Sequence, residues 1–445
     1  MARILVLTNL YPPNHFGGYE LSCRDVVDRW RSWGHEVLVL TSSTVKPGVV
    51  SAPEPRDEVR RELRIAFDGR ELERWPAARR LRYERANQTA LQSALDDLRP
   101  DVVSVWHMAG MSLSLLHRLL TKHIRIVGVV CDEWPGYVEK TDQWMRLWRY
   151  LPPMWRAVSK LSGIPTGFPN VGYGASFCFV SHDLRDRCLK LSSWVFPQST
   201  VTYSGINTLD FPIINRSANQ NWTWNLTMAG RLDPRKGFST AIEALTHLPV
   251  EARLEILSAA DGPHRQELER KAGYLGVAER VHFDVGDRAR VRSAFSRADA
   301  VLFPSTWEEP FGLVPVEAMA CGTPVVASGT GGSVEFMASE YNCLLFSPGD
   351  PSSLADALHR LGASSQLRAR LVANGRSTAV QLTIERVAAD LEAWHLAAID
   401  DFRTGVPGPP RDMRRYVRSG RVDKAQGNDS FAYRPGPQQS IPPHI

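Results

Sequence analysis

Short apolar runs of strand length alternate with helical stretches in two separate series along this chain. That alternation leaves little room for anything but mostly parallel sheets covered by helices on both faces. In the first series Ile4 to Thr8 is a strand, followed by a Pro/Gly turn (Pro12, Pro13, Gly17, Gly18) and a helix carrying Leu21, Val26, Val27 and Trp30 that stops at Gly34. Strands follow at Val37 to Thr41, Asp101 to Val105, Ile124 to Val130 and Phe177 to Ser181, and Leu113, Leu116, Leu119 and Leu120 mark a helix within this series. The second series is more regular, with strands at Leu226 to Ala229, Leu254 to Leu257, Val281 to Val285, Ala300 to Pro304 and Pro324 to Ala327. At 445 residues the chain is long enough for two such cores. The expected organisation is an α/β architecture of two Rossmann-like, doubly wound parallel-sheet domains facing a cleft. The domains are residues 1–205 and 223–385, joined by a polar linker at 206–222, with a helix at 386–402 packing back toward the first domain. Residues 403–445 hold 12 Gly or Pro and few large apolar side chains, so that tail is expected to be disordered.

Composition excludes several classes. No apolar stretch approaches the roughly 18 residues that span a bilayer, so a soluble cytoplasmic chain is expected. The six cysteines are scattered without a C-x-x-C pair, which reads as buried thiols rather than a disulfide or zinc framework. The formal charge of +5 hints at an anionic partner. The tail, however, holds eight basic and three acidic residues, and the preceding 402 are balanced. Any anionic ligand of the fold must therefore be held by a few placed cations.

In parallel sheets of this kind ligands bind beyond the carboxyl ends of the strands. Arg231 follows the strand Leu226 to Ala229, and Lys236 lies five residues later in Gly230-Arg231-Leu232-Asp233-Pro234-Arg235-Lys236-Gly237. A guanidinium and an ammonium beside a helix start suit a diphosphate, and a solvated basic turn is the plain alternative. After the strand ending at Pro304, Glu309 precedes a short helix that carries Glu317, and the free backbone N–H groups of Phe311, Gly312, Leu313 and Val314 face the same side. Two carboxylates so placed suit the hydroxyls of an elongated polyol. An ordinary surface pair has the same spacing.

Together, the Arg/Lys segment, Glu309-x7-Glu317, Gly322-Thr323-Pro324-Val325-Val326-Ala327 and Gly331-Gly332-x-x-Glu335 resemble retaining nucleotide-sugar glycosyltransferases of family 4, with the GT-B fold. The likeness is strong over Thr227 to Asp350 and extends to Met1 to Gly205, where Pro12-Pro13-x-x-x-Gly17-Gly18 matches the glycine loop of such enzymes. The resemblance implies that Arg231 and Lys236 hold the diphosphate and stabilise the leaving nucleotide. It implies that Glu309 binds donor-sugar hydroxyls, Glu317 the ribose, and that Gly17 and Gly18 approach the phosphate. It implies transfer with retention and without a bound metal or cofactor, the nucleotide sugar being a co-substrate, and the chain has no D-x-D triplet. Relatives often place a histidine after the strand matching Val102 to Val105, where His107 is nearest but displaced by a residue; the resemblance makes it a catalytic candidate near the reacting carbon, and a plain structural histidine is the alternative. The turn before the linker reads Tyr203-Ser204-Gly205 and the segment after the next strand Ala260-Asp261-Gly262-Pro263, both departures from the family pattern.

By resemblance the first domain supplies the acceptor site. Asp132 and Glu133 follow a strand and suit an acceptor hydroxyl or amine, or else cap the next turn. Trp144, Leu147, Trp148 and Leu151 fall on one helical face flanked by Arg146 and Arg149. This face reads as core, as an aromatic wall for a small-molecule, glycan or lipid-linked acceptor, or as a membrane patch. A phosphorylase or epimerase of the same fold is the alternative among enzymes. An anionic-surface binding protein using the basic tail, with weak peripheral membrane contact through the tail or the Trp-rich helix, is the alternative of another class. No nucleic-acid module is recognisable.

Overall fold

The computed structural model describes residues 1–45, 55–66, 75–149, 152–214, 221–259 and 261–404. The tail, taken as disordered, lies outside the described residues except for its first two positions, as does Leu151. The first half runs β1 (Arg3–Leu7), α1 (Gly18–Ser32), β2 (Glu36–Ser42), β3 (Val59–Leu63), α2 (Ala77–Leu98), β4 (Val102–Val105), α3 (Ser114–Thr121) and β5 (Ile126–Val130). It continues with α4 (Trp134–Thr141), α5 (Met145–Arg149), α6 (Pro152–Ser162), α7 (Val171–Gly174), β6 (Ser176–Phe179), α8 (His182–Leu191) and β7 (Ser199–Val201). Its seven strands pair in the order β3-β2-β1-β4-β5-β6-β7, all parallel.

The second half runs β8 (Asn225–Ala229), α9 (Phe238–Ala244), β9 (Arg253–Ser258), α10 (Pro263–Tyr274), β10 (Val281–Val285), α11 (Arg288–Arg297) and β11 (Ala300–Phe303). Then come α12 (Leu313–Ala320), β12 (Val325–Ala327), β13 (Leu344–Leu345), α13 (Pro351–Ala363), α14 (Ser365–Gln381) and α15 (Ile384–Thr404). Six parallel strands pair in the order β10-β9-β8-β11-β12-β13. Each order reverses once, between β1 and β4 and between β8 and β11, which opens a crevice at the carboxyl ends of those strands.

Alternation along β1 shows how the layers form. Leu5 and Leu7 pack with Leu91, Leu95 and Leu116, whereas Ile4 and Val6 pack on the other face with Val26, Val27, Trp30 and Leu391. Leu391 belongs to α15, so the last helix returns to cover the first sheet. Trp30 Nε1 donates to Ala388 O at 3.0 Å, and Arg29 pairs with Glu385 at 2.7 Å. The crossing segment is itself packed, with Phe211 only 1% exposed. The cysteines are free thiols and five of the six are buried. No helix among the described residues is long and apolar enough to cross a membrane.

Candidate functional site

Two loops of the second half are joined at its crevice. Gly237 ends the turn after β8 at φ 74°, and a Cβ there would lie 1.8 Å from Pro304 O, so only glycine permits the approach. Thr306 N donates to Arg235 O at 2.9 Å, aligning the loop after β11 with that turn. The alignment places Lys236 Nζ 2.6 Å from Glu309 Oε1, which also accepts from Ser305 Oγ at 2.8 Å. The Glu309 side chain is 4% exposed and that of Lys236 20%. Trp307 lies under both cations, 4.5 Å from Arg235 and 5.0 Å from Lys236. Arg231 is exposed and forms no ion pair among the described residues. Gly332 N donates to Glu309 O at 2.7 Å, which folds the Gly331-Gly332 turn beneath the same carboxylate.

One turn along α12, Glu317 sits near Arg288 and Asp210. Burial pushes its carboxyl up to about 7; Arg288 draws it down and Asp210 raises it further. Gly312 is the residue before α12, and the side chain of Leu313 lies 3.6 Å from where a Cβ of Gly18 would stand. The glycine loop of the first half therefore abuts the amino end of α12. Gly17 has open space where a Cβ would be. The donor-binding residues anticipated from sequence, Gly17, Gly18, Arg231, Lys236, Glu309, Phe311, Gly312, Leu313 and Glu317, thus lie on the loops after β1, β8 and β11 and on α12. Phe311 itself is buried against Tyr203 and Phe336. Only its backbone is left to serve a ligand.

Across the crevice, His107 Nε2 lies 3.2 Å from Asp132 Oδ2 and 3.1 Å from Tyr137 OH, and Tyr137 OH donates to Asp132 Oδ2 at 2.8 Å. Tyr19 stacks on the His107 ring at 4.8 Å. Burial disfavours the charged ring, but the Asp132 carboxylate outweighs it and holds His107 above its ordinary value. Burial would raise Asp132, yet His107, Tyr137 and Trp134 N hold it low. His107 Nδ1 is buried with no hydrogen-bond partner among the described residues. Glu133 pairs with Arg187, which also binds Asp183 at 2.8 Å and approaches Glu308 of the second half at 3.8 Å.

Of the three readings of the tryptophan face, core holds for Trp144, and the single helical face is corrected. Trp144 precedes α5 rather than lying on a helical face with Trp148, is 2% exposed, and donates from Nε1 to Pro165 O at 2.7 Å. It is core, because Asp142 turns the chain inward by accepting from Trp144 N and Met145 N at 2.9 Å each. Trp148 packs edge-on against it at 5.2 Å. Sequence reading missed Tyr19, Tyr137, Arg187 and Arg288, which lie within helices and belong to no motif. Their one sequence clue is position in a helix that follows a strand.

Residues 213–378 match the family described as Glycosyl transferases group 1, and residues 16–208 match Glycosyltransferase Family 4. The chain is 40% identical over 168 residues to the D-inositol 3-phosphate glycosyltransferase of Xylanimonas cellulosilytica, a match spanning 37% of this chain and 40% of that relative. The matched region is therefore less than half of the relative's length. Among solved structures, sucrose-phosphate synthase from Thermosynechococcus elongatus superposes with a TM-score of 0.64 at 20% identity, over 87% of this chain and 96% of the other. Anabaena HepE in complex with UDP and glucose does so with a TM-score of 0.62 at 20% identity, over 88% and 98%. These two likenesses are of fold.

Proposed function

This chain belongs to glycosyltransferase family 4 with the GT-B fold, and on that premise we propose that it moves a sugar from a nucleoside diphosphate sugar to an acceptor hydroxyl or amine with retention of configuration. The observation that carries the reading is the pair of half-buried Lys236 and buried Glu309 beyond the carboxyl ends of β8 and β11, with exposed Arg231 on the same loop as Lys236. Departure of a nucleoside diphosphate leaves negative charge on its terminal phosphate. Arg231 and Lys236 would hold that charge, and fixed cations in a partly dry crevice stabilise it more than water does. Glu309, released by Lys236 as the ammonium turns to the phosphate, is free to accept hydroxyls of the donor sugar. Glu317 serves the ribose from the next turn of the same segment, and in this reading the reaction needs no metal and no resident cofactor. The departing phosphate takes the acceptor proton, so the sugar is attacked from the face it leaves.

UDP-glucose is the first donor to test, since HepE was solved with UDP and glucose. The wild-type chain should hydrolyse or transfer it slowly even with a generic acceptor, and Glu309→Gln and Arg231→Ala should each lower turnover about 100-fold or more. Near-normal rates in both variants would sink the assignment. Phosphate-dependent release of a sugar phosphate, or an epimerised nucleotide sugar, would replace transfer by a phosphorylase or epimerase activity.

A further inference from the structure

Exposed large apolar side chains are not spread evenly over the molecule. Of 15 among the described residues, six (Met154, Leu161, Tyr173, Leu189, Leu191 and Val195) fall between positions 154 and 195. Leu161 is 87% exposed and Tyr173 66%, values that a folded monomer gains nothing by keeping. Their placement follows from topology. Tyr173 lies three residues before β6, and Leu191 and Val195 precede β7, so they sit toward the amino ends of parallel strands. The crevice lies at the carboxyl ends, on the opposite side of the sheet.

The exposed groups form one band. Arg118 of α3 donates to Gly163 O just after α6, and His117 Nδ1 lies 2.6 Å from Gly167 O, which ties Leu161 to α3. The backbone of α7 at Gly174 rests on Leu120 of α3, and Gly172 rests on the Val195 carbonyl. Gly136 of α4 lies against Leu191. Along α6, Met154, Ala157, Val158 and Leu161 recur at helical spacing, with Ala157 exposed and Val158 half-buried.

Cations rim this band. Lys122 just after α3, Lys160 in the last turn of α6 and Lys190 in the last turn of α8 are exposed, and none forms an ion pair among the described residues. The Glu139 carboxylate within the band is taken up by Ser193 Oγ at 2.8 Å and Trp194 Nε1 at 2.7 Å. We propose that this end of the first domain docks on an anionic lipid bilayer surface, with α6 and Tyr173 entering the headgroup boundary and the lysines meeting the phosphates. A second copy of the chain fits less well, because isologous pairing would bring the same lysine rims together. Docking at the amino ends of the strands leaves the crevice open, so the surface is separable from the reaction and does not rest on the transferase reading.

The test is co-sedimentation of the full chain with vesicles of phosphatidylcholine alone and of phosphatidylcholine mixed with phosphatidylglycerol. Binding is expected to the mixed vesicles only and to weaken with salt. The double substitution Met154→Ser with Leu161→Ser should lower the bound fraction about ten-fold, and Lys122→Glu with Lys160→Glu should do the same, with circular dichroism unchanged. Hydrolysis of a soluble donor should be unaffected in both. The proposal is overturned if the full chain ignores the mixed vesicles, or if the double variants bind like wild type while loss of residues 405–445 abolishes binding. Concentration-dependent dimers lost in the same variants, without vesicle binding, overturn it equally.

Discussion

Between α2 and α3 the Glu84 carboxyl accepts from Ser114 Oγ at 2.6 Å while only 7% exposed, and burial pushes it up to about 8, with Asp142 adding to the rise. A folded-state value above the unfolded one means that the native state holds the proton more tightly. That stabilisation is complete below about pH 4.5 and is lost as pH climbs toward 8. Glu84→Gln keeps an amide in the same place without a charge to bury, so it should be more stable than wild type by about 1–2 kcal/mol at pH 8 and no better at pH 5. Melting temperatures of the two proteins across that range would show the gap opening with pH; a constant gap would refute the account. Such couplings are invisible in sequence, because Glu84 meets Ser114 only once α2 and α3 are packed. Glu309 and Glu317 were legible for the opposite reason, since loop and helix position them locally. The His107–Asp132–Tyr137 cluster was half legible: strand ends pointed to His107 and Asp132, whereas Tyr137 joins them only through the turn of α4.

At the scale of elements, α15 carries a large share of the first domain's core although it lies at the far end of the described chain. Leu391 is 1% exposed and packs with Ile4, Val6 and Trp30, while Arg29–Glu385 and His35–Glu392 tie the helix to α1 and the turn after it. Leu391→Ala should therefore cost about 2–5 kcal/mol, read by urea unfolding of the first half through its tryptophans. A loss confined to the last helix, with the sheet unaffected, would show that α15 is merely appended. The strands on either side of each switch point were readable because their residues are buried on both faces and so form continuous apolar runs. The edges were not. β3 reads Val-Arg-Arg-Glu-Leu, and α2 mixes seven charged residues into its first turns and last turn so that its apolar stripe is thin. β13 has only two residues, and its place is set by pairing with β12 rather than by any propensity of its own. Trp144 failed for a related reason, because a turn at Asp142 broke a helical spacing that the letters alone continued.

The chain passes between its halves twice, at 206–214 and near 383, and the two crossings lie side by side. Ile206 N donates to Leu382 O at 2.9 Å and Ile384 N to Ile206 O at 2.8 Å, while a Cβ on Gly205 would lie 2.4 Å from the Thr383 carbonyl carbon. A narrow double crossing of this kind is a hinge, and struts elsewhere must decide how far the crevice opens. One strut is Glu335, whose carboxylate accepts from the amino end of α8 at His182 N and Asp183 N, at 3.0 and 2.8 Å. A second is Arg288 of α11, which joins Asp25 of α1 at 2.8 Å and Asp210 of the crossing segment at 2.6 Å. The Asp25 side chain is 3% exposed and is paired with that guanidinium and with Arg24. Arg288→Ala should cost about 1–3 kcal/mol, less than a fully orphaned buried charge because Arg24 remains. It should also widen the crevice, raising the radius of gyration in small-angle scattering and weakening UDP binding, since a looser hinge makes the closed form rarer. Saturating UDP should restore the wild-type scattering curve. A variant that loses stability but keeps the wild-type radius with and without UDP would show that Arg288 supports α11 alone and that the hinge is held elsewhere.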